Sequence, residues 1–443
     1  MQREDLLRTV QYALQTNDKS VLRRALDAAH AANIADIIEE LDPDERIVVF
    51  NELPEDVRGE VLDELEVGVR NVLLQSLGPD AAADIFDAMP SDDAAEALGD
   101  LPPEEAQSII ERMESEEAEE VLELLGHEDE TAGRIMATEV LTVLPDITID
   151  QAIDCVRAEA QDAETTYAVY VVDEDNRLLG ALTLEDLILA DPQSLVRDVM
   201  ETDIVKIPVT MDQEEAARIV SKYDLVAVPA VDEEGRLVGV ITIDDLVDVL
   251  VEEATEDIYR LAGTHEDSEF RRPALLSAFR RMPWLVVTFV GELISGSIIR
   301  HYNVALSSAA QIAVFIPLVM AVGGNVGNQS VATTVRAIAT DELRPTTPLA
   351  AVLREVLVGL LVGASTGALA AIVAWVWFGP HLAVAVGMAM ALSQSLSAGV
   401  GTGLPLIFRA IGQDPALASA PFISTLNDIL GVGLYFALAT VFV

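Results

Sequence analysis

The run Leu417-Ala-Ser-Ala-Pro421-Phe-Ile-Ser424-Thr425-Leu-Asn427-Asp428-Ile-Leu-Gly431, continued by apolar residues from Val432 to Val443, decides how this chain is read. It is long enough to cross a hydrocarbon core of roughly 30 Å, yet it carries a carboxylate near its middle. A charged side chain at the centre of a spanning helix costs about 2.5–3.5 kcal/mol on insertion scales. Asp428 is therefore a candidate functional residue, unless it is a protonated or hydrogen-bonded core Asp.

Four more apolar runs precede it, so the expected spans are 284–304, 309–336, 349–378, 382–408 and 417–442. All begin after Pro283, and the charge divides at the same point. From Trp284 onward the cations are Arg300, Arg336, Arg344, Arg354 and Arg409, against the anions Glu292, Asp341, Glu342, Glu355, Asp414 and Asp428. Residues 1–283 hold the other 22 cations and 69 anions of a chain with net charge −48. The expectation is a nearly neutral membrane domain joined to a soluble polyanion. Such a polyanion repels nucleic acid and attracts multivalent cations. With only three lysines among its 27 cationic residues, the composition also fits a salt-rich cytoplasm.

Cys155 is the single cysteine, so no intrachain disulfide forms. The five histidines lack metal-ligand spacing, and no protease, kinase or hydrolase motif is present, so an enzyme is the least expected class. The charged start is no signal peptide, which places the soluble part in the cytosol. Arg271, Arg272, Arg280 and Arg281 precede the first span, Arg336, Arg344 and Arg354 separate the second and third, and Arg409 separates the fourth and fifth. The positive-inside rule then predicts a cytoplasmic N-terminus, an extracellular C-terminus and a multi-pass plasma-membrane protein.

In residues 1–130, Leu41, Leu53, Leu65, Leu77, Met89, Leu101, Met113 and Leu125 recur every twelve positions, with Pro43, Pro54, Pro79, Pro90 and Pro102 nearby. Proline suits the first turn of a helix, and an acid just after it complements the positive helix end. The reading is an acidic all-α repeat of short helices, stacked in pairs as a small solenoid. Carboxylates such as Asp80, Asp84, Asp87, Asp92 and Asp93 read mostly as solvated.

Residues 131–250 contain a tandem repeat, 131–195 and 196–250. Asp173-Glu-Asp-Asn-Arg-Leu-Leu-Gly180-Ala-Leu-Thr183-Leu-Glu-Asp186 returns as Asp232-Glu-Glu-Gly-Arg-Leu-Val-Gly239-Val-Ile-Thr242-Ile-Asp-Asp245. The G-x-x-T-x-x-D element resembles that of paired CBS domains, α/β regulatory modules. Thr183, Asp186, Thr242 and Asp245 then either hold an adenine nucleotide such as ATP or only cap helices. Next comes Glu252-Glu253-Ala-Thr-Glu256-Asp257, whose four acids share one helix face. Residues 251–281 read as a connecting helix placed to plug a pore in 282–443.

The second span holds Gly323-Gly324-Asn325-Val-Gly327-Asn328-Gln329. Small residues and amides serve either as interhelical packing or as a pore wall, with Asn325, Asn328 and bared glycine carbonyls standing in for water around an ion.

G-G-N-x-G-x-Q here, A-P-F-I-S-T-L-N-D in the fifth span and E-A-T-E-D-I-x-x-L-A-G before the membrane together resemble the MgtE family of magnesium channels. The resemblance spans essentially the whole chain and implies a five-helix pore domain in a homodimer. The second and fifth spans would line the path, with Asp428, Asn328 and Gly324 at the pore. It also implies that cytosolic Mg²⁺, bound among Asp224, Glu214, Asp245, Asp248, Glu253, Glu256 and Asp414, holds the pore shut. Two departures stand out: Ala420 where glycine is expected, and His30-Ala-Ala-Asn-Ile-Ala in place of H-P-A-D-I-A. A cation-coupled carrier and a non-transporting Mg²⁺ or nucleotide sensor remain alternative readings.

Overall fold

The structure is a computed structural model that describes residues 3–160, 163–264, 274–303, 309–340, 342 and 348–442. Arg271, Arg272, Asp341 and Arg344, and the 265–273 part of the expected connecting helix, lie outside the described residues. The chain forms two compact units, Met1–Val251 and Glu252–Val443.

The first unit opens with ten helices of 8 to 14 residues between Arg3 and Leu125. Proline occupies the first turn of Pro43–Asn51, Pro79–Phe86 and Pro103–Ile110, and the cap position of Glu55–Asp63 and Ser91–Gly99. His30 caps Ala31–Glu40, its ring nitrogen accepting from the Ala32 amide at 3.4 Å. Most residues of the twelve-fold register fall just after helix ends. Leu41, Leu53, Leu65, Met89, Leu101 and Met113 are buried there, so each seals the corner into the next helix. From Ala31 onward most helices pack on the helix two places along, the arrangement of stacked pairs.

Each repeat of residues 131–250 builds one three-stranded sheet: β1 (Thr142–Val143), β2 (Ala168–Val172) and β3 (Leu178–Thr183), then β4 (Ile207–Pro208), β5 (Ala227–Val231) and β6 (Leu237–Thr242). The first pair of each sheet is parallel and the second antiparallel. Registers match between copies, with Val171 opposite Gly180 and Ala230 opposite Gly239. Those glycines are required by close approach. A β-carbon at Gly180 would stand 2.4 Å from the Glu201 carbonyl, and one at Gly239 would stand 2.6 Å from that of Ala137. The acidic turns are local devices: Asp173 accepts from the Asp175 and Arg177 amides, and Asp232 from those of Glu234 and Arg236.

The helix begun at Ile243 runs unbroken to Ala262, so Asp245, Asp248, Glu253 and Glu256 belong to one helix. Among the described residues of the second unit five helices are long and apolar enough to span a membrane: Leu275–Tyr302, Ala310–Ala339, Pro348–Phe378, Pro380–Ala410 and Ala420–Phe442. The first helix starts at Ala274, before the apolar run, and continues through Pro283. The fifth begins later than its hydrophobicity suggests, because Pro415–Leu417 forms a 3₁₀ turn first. Gly359, Gly363 and Gly367, four residues apart, bring the third span against the backbone of the fourth, the small-residue packing that lipid favours.

Candidate ion path and acidic sites

The second span packs against both the fourth and the fifth, and its glycines set how closely. At Gly327 a β-carbon would lie 2.0 Å from the Asn427 amide nitrogen, so the missing side chain makes the notch that Asn427 fills. Asn427 is 3% exposed, and neither of its amide atoms has a hydrogen-bond partner. One residue further along the second span, the Asn328 amide donates to the Ser424 hydroxyl at 3.2 Å. Gly324 faces the same hydroxyl, 3.6 Å from its would-be β-carbon. Asp428 follows Ser424 by one helical turn on the same face.

Gly324, Asn328 and Ser424 therefore form one seam between the second and fifth spans, with Asp428 one helical turn further along the fifth. Asn325 does not join it and stands on the exposed face of its helix with Ala321, Gln329 and Ala332. Glu292 of the first span lies within hydrogen-bond reach of Asp428. In the sequence Glu292 is only one charge among six anions after Trp284, because its approach to Asp428, 136 residues away, depends on how two helices pack.

Asp414 caps the 3₁₀ turn, accepting from the Ala416 amide at 2.7 Å, and forms an ion pair with Arg260. Arg260 also pairs with Glu256. Two residues expected to hold a regulatory cation are thus bridged by a guanidinium, beside a cavity of about 390 Å³ lined by Glu256, Arg260, Thr264, Trp284, Gln413 and Asp414.

In the first unit the acids converge elsewhere than expected. Asp92 and Asp93, at the start of Ser91–Gly99, meet Asp245, with one carboxylate oxygen from each lying within 4.8 Å of the others. Reading Asp92 as solvated is corrected: it is 7% exposed. Burial, followed by the charges of Asp63 and Asp245, pushes Asp93 up to about 8. Burial and Asp245 raise Asp92 well above the ordinary carboxylate range. Burial is also the main cause that lifts Glu164 to about 7 and Asp63 to about 6, aided by Asp245 and Glu96 respectively.

Asp245 itself is raised by burial, offset in part by the Thr242 hydroxyl, which donates to it at 2.6 Å. Asp248 is raised by burial and by Asp244. Of the other expected ligands, Glu214 pairs with Arg218 at 2.5 Å, and Asp224 is exposed in the left-handed position that ends Gln213–Tyr223. Glu253 is half-buried.

Thr183 and Asp186 form a full capping box, with the hydroxyl donating to the carboxylate at 2.6 Å. Thr242 bonds Asp244 and Asp245 in the same way. Both G-x-x-T-x-x-D elements thus start helices in this structure.

An apolar five-helix bundle with a polar seam, carried with a tandem α/β repeat and an acidic helical repeat, defines a multi-span membrane protein with a large N-terminal part outside the spans. Family models agree along the chain: the MgtE intracellular N domain matches 29–130, the CBS domain 132–192 and 196–252, and the MgtE divalent cation transporter domain 316–438. The chain is 34% identical over 321 residues to the magnesium transporter MgtE of Bacillus subtilis, covering 72% of this chain and 71% of that one. It is 35% identical over 322 residues to the MgtE of Thermus thermophilus, covering 71% of each. This chain belongs to the MgtE family.

Two solved structures resemble its soluble part. One is the soluble part of a magnesium transporter, at 32% identity and TM-score 0.54, matched over 57% of this chain and 100% of that one. The other is the cytosolic domain of the Mg²⁺ channel MgtE in complex with ATP, at 36% identity and TM-score 0.53, matched over 55% and 99%.

Proposed function

We propose that this chain is a Mg²⁺ channel that admits Mg²⁺ across the plasma membrane and closes when cytosolic Mg²⁺ occupies its acidic sites. The observation that carries the reading is the seam of Gly324, Asn328 and Ser424, with Asp428 one turn along, inside spans that are otherwise apolar. Mg²⁺ gives up water reluctantly, so oxygen and amide groups around a carboxylate suit a largely hydrated ion. The relatives named magnesium transporter support Mg²⁺ as the cargo.

The homodimer is supported by the exposed amides of Asn325 and Gln329, which lipid would leave unsatisfied and a second copy would cover. Asp92, Asp93 and Asp245 would hold the regulatory ion. They are crowded carboxylates with raised proton affinity, and a divalent cation relieves both burial and repulsion. Through the helix that carries Asp245 and ends beside Asp414, such an ion would shift the pore toward its closed population by its differential affinity. We assign ATP to the CBS pair, with Thr183, Asp186, Thr242 and Asp245 as its contacts, a reading supported by the relative's cytosolic domain solved in complex with ATP. The soluble part is assigned to the cytoplasm and the C-terminus to the outside.

Expression in a bacterium lacking its own Mg²⁺ importers is expected to restore growth in Mg²⁺-poor medium. Absence of growth with the protein inserted in the membrane would refute the assignment. Arg260 gives a second expectation. Its partly exposed bridge to Glu256 and Asp414 is worth about 0.5–1 kcal/mol after solvent screening. Arg260→Ala should therefore raise flux at low internal Mg²⁺ by about two- to fivefold, read by fluorescent indicator in proteoliposomes.

A further inference from the structure

Glu292 is the first span's carboxylate, and it meets Asp428 rather than a cation. Among the described residues no ion pair is formed by either acid. The first span packs chiefly on the fifth, and the approach is close: a β-carbon at Gly291 would stand 1.9 Å from the Thr425 methyl carbon. Glu292 follows Gly291, and Asp428 follows Thr425 by one turn, so the two carboxylates are held side by side within the membrane. Ionised together they repel, and hydrocarbon sharpens that repulsion.

A second observation lies on the same helix. Its hydroxyls at Thr288 and Ser297 are spent on their own helix, donating to the Trp284 and Leu293 carbonyls at 3.1 and 2.8 Å. Ser277 near the start of the helix and Ser295 inside the span have hydroxyls without a partner, and of the two Ser295 is the fully buried one, 1% exposed. It lies one turn beyond Glu292 and four residues beyond Gly291, on the side turned to the fifth span. Two carboxylates and a buried hydroxyl without a partner thus lie within about one turn of each other along the first and fifth spans.

We propose that Glu292, with Asp428 and the Ser295 hydroxyl of the same chain, forms a subsite for a divalent cation in the ion path. The proposal rests on the reading that Asp428 lines that path. Each chain then offers two negative charges rather than one, which favours a divalent over a monovalent ion and replaces part of the ion's hydration with carboxylate oxygen.

The test uses the full chain in proteoliposomes, with Mg²⁺ influx measured against external Mg²⁺ and Na⁺ influx measured in parallel. Glu292→Gln keeps the shape and removes the charge. It should raise the KM for Mg²⁺ by about tenfold or more and reduce the Mg²⁺-over-Na⁺ preference, while Glu292→Asp raises KM by about three- to fivefold. A Glu292→Gln protein with unchanged KM and unchanged preference overturns the subsite. If that variant does not purify as a monodisperse protein, Glu292→Asp decides alone: a raised KM supports the subsite and an unchanged KM overturns it. Asp428→Asn separates the two claims. Flux lost in Asp428→Asn but unaltered in Glu292→Gln overturns the subsite and leaves the path intact, whereas equal flux in wild type and Asp428→Asn overturns both.

Discussion

Asp428→Asn is expected to lower Mg²⁺ flux by about 100-fold or more while leaving the fold unchanged. The amide has nearly the shape of the carboxylate and can keep its place on the fifth span beside Glu292, so the change is one of charge. Hydrogen bonds to charged groups are worth about 1.5–3 kcal/mol each. In the proposed dimer the two copies lose about 3–6 kcal/mol of interaction with the ion, and each 1.4 kcal/mol is about tenfold. Removing an intramembrane charge also lessens an insertion cost of about 2.5–3.5 kcal/mol, so the variant should be at least as stable as the parent. Flux should be read by Mg²⁺ indicator in proteoliposomes, and stability by thermal melting. Unimpaired flux would exclude Asp428 from the path.

The second large effect is expected at Asp93. Wild-type soluble part, residues 1–263, should gain about 2.7 kcal/mol of stability at Mg²⁺ concentrations near 100 times the dissociation constant. For a domain of this size that is about 5–10 °C in Tm. Asp93→Asn together with Asp245→Asn should abolish most of the gain and raise the Tm of the Mg²⁺-free protein, because the cost of burying two crowded acids, protonated or ionised, is gone.

The pH dependence has a definite sign. Asp63, Glu164 and Asp93 titrate at about 6, 7 and 8 in the folded protein, above the ordinary carboxylate range. The folded state therefore holds protons that the unfolded chain has already released. The stability that these three groups contribute without Mg²⁺ is full below pH 4 and is lost as pH rises through roughly 6 to 8. Mg²⁺ must displace those protons, so its stabilisation should be largest near pH 8 and smallest near pH 5.5. Equal Mg²⁺-induced shifts at the two pH values would contradict this account.

Much of the architecture is local in origin and was legible for that reason. Prolines announce helix starts, the G-x-x-T-x-x-D element caps its own helix, and five apolar runs need no partner to be recognised. Asp428 stood out because a carboxylate in such a run is anomalous wherever it points. What could not be read depends on rotation and packing. Glu292 sits 136 positions from Asp428, and the packing of the first span on the fifth, close at Gly291 and Thr425, brings the two together. Asn325 and Asn328 look equivalent in the second span, yet three residues of helical turn put one on the exposed face and the other against Ser424. Asp92 and Asp93 resembled any solvated helix start until the fold set them against Asp245. The one available signal was that the pair follows Pro90 and Ser91 directly, with no cation nearby in sequence.

The central claim is that cytosolic Mg²⁺ closes a path through Asp428. It is tested most directly by Mg²⁺ influx into proteoliposomes whose soluble domains face inward, with internal Mg²⁺ varied. The account predicts rapid influx when internal Mg²⁺ is chelated and strong suppression when it is raised to millimolar levels, with suppression relieved in the Asp93→Asn, Asp245→Asn protein. Influx that is the same at low and high internal Mg²⁺ in the wild-type protein would contradict it.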